Sequence, residues 1–87
     1  MAEDLRRINL WTGTASKKEG ILRLQRNRRW AICRPDRIPV ELASGDLFHI
    51  EVDGGLKLTR LEYDYDKRAY YSIDGYELRS GMRAAII

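Results

Sequence analysis

The chain reads as an all-β domain: a small SH3-like barrel or a strongly bent antiparallel meander of about five to seven short strands, with a short N-terminal arm or helix. Three observations predict this. Apolar residues alternate with polar ones in short runs, the period of a half-buried strand. Turn sequences rich in glycine, proline, asparagine and aspartate separate the runs. And 87 residues suffice for only one thin core.

The elements follow in order. Residues 1–19 stand apart as an arm or linker. Leu5, Ile8 and either Leu10 or Trp11 have helical spacing, and the small polar stretch from Thr12 to Gly20 reads as a link. Residues 20–87 form the single β domain. Leu22 and Leu24 alternate with Arg23 and Gln25, Arg26 to Arg28 turn, and Trp30 and Ile32 alternate with Ala31 and Cys33. That is a hairpin. Pro35 and Pro39 cannot donate to a ladder, so the Ile38, Val40, Leu42 alternation suits a short edge strand. Phe48, Ile50 and Val52 share one strand face, opposite Leu47, His49 and Glu51. Asp53-Gly54-Gly55 supplies the positive φ of a tight hairpin. The strand from Leu56 to Tyr63 changes phase between Leu58 and Leu61, which predicts a β-bulge near Thr59-Arg60. Asp64 to Lys67 turns. Ala69, Tyr71 and Ile73 then share a face, Asp74-Gly75 turns again, and Met82 to Ile87 closes as a last strand.

Composition narrows the function. Cys33 is the sole cysteine, so neither an internal disulfide nor a cysteine-spaced metal site can form, and a reducing, cytoplasmic setting is expected. No apolar run reaches membrane-spanning length, and Glu3 and Asp4 do not suit a signal peptide. The net charge of +3 is unevenly placed. Residues 1–37 hold ten basic and four acidic residues (+6), and residues 38–87 hold six and nine (−3). A basic half can meet phosphate or an acidic protein surface.

Within this pattern, several pieces occur in a fixed order: Asn27-Arg28-Arg29-Trp30, Glu41 to Asp46, Ile50-Glu51-Val52, Thr59 to Asp64, Tyr70-Tyr71 and Gly81-Met82-Arg83. From about residue 20 to 87 the chain resembles a family of short, uncharacterised bacterial domains, a domain of unknown function. The resemblance implies a small β-barrel and a bacterial or mobile-element origin. It implies no enzyme activity.

Two clusters carry candidate chemistry. Arg23, Arg26, Arg28 and Arg29 crowd the first hairpin around Trp30, and Arg6 and Arg7 precede them. Guanidinium forks hold phosphates, and an exposed aromatic stacks on an unpaired base. Trp30 would be that stacker if exposed, and a core residue otherwise. The second cluster is Tyr63, Tyr65 and Tyr70 with Asp64 and Asp66, a surface suited to protein recognition. Glu62, Asp64 and Asp66 do not complete a calcium loop, and Lys67 and Arg68 are expected to pair with them. Cys33 and His49 fall on different strands, and no phosphate loop or serine elbow is present. The expectation is a non-enzymatic binding module without cofactor or metal, contacting nucleic acid through the basic hairpin. The alternatives are a protein-interaction module, for example an inhibitor of a host protein, or a homodimer through edge strands with no other ligand. Monomer and homodimer both suit the sequence, and a membrane partner does not.

Overall fold

The computed structural model describes residues 18–87. The arm, with Arg6, Arg7 and Trp11, lies outside the described residues. Seven antiparallel strands follow: β1 (Glu19–Leu24), β2 (Trp30–Cys33), β3 (Val40–Glu41), β4 (Leu47–Val52), β5 (Gly55–Asp64), β6 (Ala69–Ser72) and β7 (Arg83–Ile86). They form one sheet curled into a half-barrel, in the order β3-β2-β1-β7-β4-β5-β6. The all-β prediction holds. Consecutive pairing holds within two three-stranded meanders, β1 to β3 and β4 to β6. The last strand joins them by inserting between β1 and β4.

The turns do what their sequences dictate. Asp53 and Gly54 both have positive φ, 53° and 82°, so Val52 and Gly55 pair directly across a two-residue loop of the twisted type. The proline-flanked Val40-Glu41 is a two-residue edge strand. At β1 the inward Gly20 lies under the chain leaving β2. A Cβ there would fall onto the Cys33 carbonyl, so only glycine fits.

Leu22, Ile32, Phe48, Ile50 and Leu61 are fully buried on the concave face, with Trp30, Leu42 and Ala84 beside them. Each large apolar side chain there contributes about 1.5–3 kcal/mol. Trp30 is 8% exposed. It is a core residue, and a base-stacking role for it is withdrawn.

Two strands depart from the expected phasing. The predicted bulge in β5 is absent: its pairing with β4 runs in constant register from Gly55 to Arg60, and its pairing with β6 from Leu61 to Asp64. Leu56 and Leu58 instead sit on the outer face with Glu51 and His49, and Thr59 takes the inner position opposite Phe48. In β6 the more apolar set, Ala69, Tyr71 and Ile73, faces outward, and Ser72 is buried. The reason lies in one network. The Thr59 hydroxyl donates to Asp74 Oδ2 (2.8 Å). A hydroxyl has one proton, so in the 2.6 Å Thr59–Ser72 contact Ser72 must donate. Satisfied in this way, two buried hydroxyls occupy inner-face positions of β5 and β6.

Candidate functional site

The tips of two hairpins come together. A cleft of about 450 Å³ lies between them, lined by Asn27, Arg28 and Arg29 of the β1–β2 turn, Ser44 of the β3–β4 loop, and Tyr63, Tyr65, Arg68 and Tyr70 of the β5–β6 hairpin.

Local sequence sets each wall. In the first turn the Arg28 amide donates to the Gln25 carbonyl, and Asn27 Oδ1 accepts from the Arg29 amide. Arg28 is left-handed at φ 67°. Glu41, across from Ala31 on β3, gathers the tip. Its Oε2 accepts from Asn27 Nδ2 (3.0 Å) and Gln25 Nε2 (2.9 Å), and its Oε1 lies 4.0 Å from Arg29 Nε. Those amide hydrogen bonds, Asn27's first, with the Arg29 charge, hold the Glu41 carboxyl below its usual range. In the facing turn Asp64 Oδ1 accepts from the backbone amides of Asp66 and Lys67. Arg68 ends this turn, also left-handed at φ 54°. Glu62 is held by Arg60 (2.6 Å) and by the Ser44 hydroxyl (3.0 Å).

The cations in the cleft are therefore not equivalent. Glu41 partly offsets Arg29. Arg28 and Arg68 make no ion pair with a described residue. The expected pairing of Lys67 and Arg68 with Glu62, Asp64 and Asp66 does not form: Glu62 is held by Arg60 and Ser44, Asp64 caps the turn, and the Asp66 carboxylate makes no ion pair with a described residue.

The tyrosines form one group. Tyr63 stands edge-on to Tyr65 (centroids 4.9 Å apart, 76° between planes) and to Tyr70 (4.8 Å, 68°). Tyr63 and Tyr70 are half-buried, and Tyr65 is 83% exposed. None of the three hydroxyls hydrogen-bonds to a described residue.

The predicted site residues separate clearly. Arg28, Arg29, Tyr63, Tyr65 and Tyr70 come together in the cleft. Arg23 lies exposed on β1 opposite Ala31, Arg26 is exposed at the tip, and neither lines the cleft. Asp64 and Asp66 belong to the second turn. Arg68, Asn27 and Ser44 also line the cleft and are the residues that sequence reasoning missed. Cys33 and His49 lie on β2 and β4, which β1 and β7 separate.

Fold and cleft together define a small all-β domain with an arginine- and tyrosine-lined groove between two hairpin tips of a half-barrel. A family described as a domain of unknown function (DUF5348) matches residues 20–86, and the chain belongs to that family. No curated protein and no solved structure matches the chain. No helix among the described residues is long and apolar enough to cross a membrane.

Proposed function

We propose that this domain is a non-enzymatic binding module that contacts nucleic acid through the cleft and the tip of the β1–β2 hairpin. The observation that carries the reading is the convergence of Arg28, Arg29 and Arg68 on Tyr63, Tyr65 and Tyr70 in one groove. Arg28 and Arg68, which make no ion pair with a described carboxylate, are suited to bind phosphate in two-point fashion, Arg29 adds a charge partly offset by Glu41, and aromatic faces beside them accept bases. Arg23 and Arg26 extend the positive surface along the hairpin and raise the rate of encounter.

The test is fluorescence anisotropy with labelled DNA and RNA over a salt series. Binding should weaken as salt rises. Replacing Arg28, Arg29 and Arg68 with Ala should flatten the slope of log K against log salt by about two units, at roughly 0.7 per single-strand phosphate contact. Unchanged affinity and slope in the triple variant would refute the assignment.

A second reading rests on the outer face of β4 to β6. Leu47, Leu58, Tyr71 and Ile73 are each about half exposed there, around the Arg60–Glu62 pair. Half-exposed apolar residues around a charged centre suit a protein partner. Replacing Leu58 and Tyr71 with Ser would then abolish partner capture and leave anisotropy unaffected.

A further inference from the structure

We infer that the strand held in the cleft is single, and that one unpaired base enters it against the tyrosines while Arg28 and Arg68 hold phosphate at the two rims. This rests on the nucleic-acid reading above and narrows it.

Size comes first. A groove of about 450 Å³ falls in the range, roughly 300–1,000 Å³, of sites that enclose a small molecule. One nucleotide unit suits such a volume. A duplex does not enter it, because its bases are stacked on one another and offer only their edges.

The rings supply the second argument. Tyr63 makes T-shaped contacts with both Tyr65 and Tyr70, so the three rings form one aromatic group in the groove. Tyr65 is largely exposed, so its ring is accessible to a planar ligand. The free hydroxyls of all three can donate to a base edge or a phosphate. A surface meant for duplex phosphate alone has no use for three aromatic rings in the groove.

The arginines supply the third. Arg28 and Arg68 come from opposite hairpins, neither is paired with a described carboxylate, and both hold a left-handed backbone that L-residues rarely adopt. Cations on both sides of an aromatic floor match a backbone that crosses the cleft. The competing mode is the β1–β2 ribbon laid in a duplex major groove, with Arg23 and Arg26 leading. It would not use Tyr65.

The experiment compares a labelled oligothymidylate of about twelve nucleotides with a duplex of the same length, using the whole chain at low salt. The wild type should bind the single strand more tightly. Tyr65→Ala should weaken single-strand binding about five- to hundredfold and leave duplex binding unchanged. Tyr65→Phe keeps the ring and loses only the hydroxyl, so it should retain most of the single-strand affinity that Tyr65→Ala loses. Tyr65 lies in a turn and is exposed, so both variants should fold, Tyr65→Phe with unchanged thermal unfolding and Tyr65→Ala with a loss no larger than its single ring contact with Tyr63 accounts for. If the duplex binds as tightly as the single strand, or Tyr65→Ala loses nothing while Arg28→Ala and Arg68→Ala still weaken binding, the base pocket is wrong and the nucleic-acid reading stands. If neither probe binds even at low salt, the nucleic-acid reading fails and takes the pocket with it.

Discussion

Replacing Arg28 and Arg68 with glycine should make this protein more stable and less able to bind. Both residues are left-handed, at φ 67° and 54°. The left-handed conformation costs an L-residue about 1–2 kcal/mol, and glycine avoids that cost. Glycine in turn gives the unfolded chain more freedom, a loss of about 0.5–1 kcal/mol. The net gain is about 0.5–1 kcal/mol per position, or about 1–2 kcal/mol for the double variant. In a domain of this size each kcal/mol raises Tm by roughly 4–8 °C. Alanine is the comparison that isolates the cause. It removes the guanidinium as glycine does but keeps the Cβ, so it retains the backbone cost. The two pairs of variants should therefore differ in Tm and agree in affinity.

The assays are thermal unfolding followed by circular dichroism, and anisotropy with the single-stranded probe. Each lost phosphate contact should lower the salt slope by roughly 0.7. A glycine double variant no more stable than its alanine counterpart would show that the turns hold no such cost. A stabilised variant with wild-type affinity would show that the two arginines are kept for something other than phosphate. Strained residues concentrate where function demands them, and this pair tests that rule at one cleft.

Thr59→Val keeps a β-branched side chain but removes the hydroxyl that links Ser72 to Asp74, leaving the buried Ser72 hydroxyl without an acceptor. It should cost about 1–3 kcal/mol in urea unfolding at unchanged m, and adding Ser72→Ala should recover part of that loss, whereas an effect under about 0.5 kcal/mol would show the network to be dispensable. Glu41 has a carboxyl pKa lowered from the ordinary value of 4.5, so its contribution to the hairpin tip is complete above that value and is lost as pH falls through the lower one. The side-chain amides of Gln25 and Asn27 should shift together in an NMR titration with a midpoint below 4.5, and a midpoint at or above 4.5 would refute the arrangement.

Much of the fold is written locally. Alternation around Arg26 to Arg28 specifies the first hairpin, and Asp53-Gly54 specifies the second because few residue pairs tolerate two successive positive φ values. The insertion of β7 between β1 and β4 is a longer-range matter, though a trace of it is present. Ala84 and Ala85 point to opposite faces of the sheet and both are buried. An unbroken apolar run of this kind marks a central strand more than an edge. Phase reasoning failed where polar residues take core positions. Leu56, Leu58 and Tyr71 were weighed by hydrophobicity, but Thr59 and Ser72 occupy the inner face because their hydroxyls satisfy each other and Asp74.

The candidate site shows a different limit. In the sequence the arginine cluster and the tyrosine cluster are separate surfaces, about thirty-five residues apart, and they support competing readings of function. No periodicity within either segment relates them, because their relation is produced by the curl of the sheet. β7 fixes the two meanders side by side, and the sheet's twist then carries the β5–β6 tip round to the β1–β2 tip, with the loop holding Ser44 between them. Once the tips meet, the question of arginines or tyrosines no longer separates two surfaces, since both line one groove. The change also explains why Arg68 was misread. Beside Glu62, Asp64 and Asp66 in the chain, it looks like one half of a surface ion pair. In the fold, Glu62 is engaged by Arg60 and Ser44 and Asp64 by its own turn, and Arg68 lines the cleft and makes no ion pair with a described carboxylate, Asp66 included. A cation that lines a groove and pairs with no described carboxylate is a better sign of a ligand than the density of arginines. None of Arg23, Arg26, Arg28 and Arg68 pairs with a described carboxylate, but of these four Arg28 and Arg68, from opposite hairpins, line the cleft, and so they define the site more sharply.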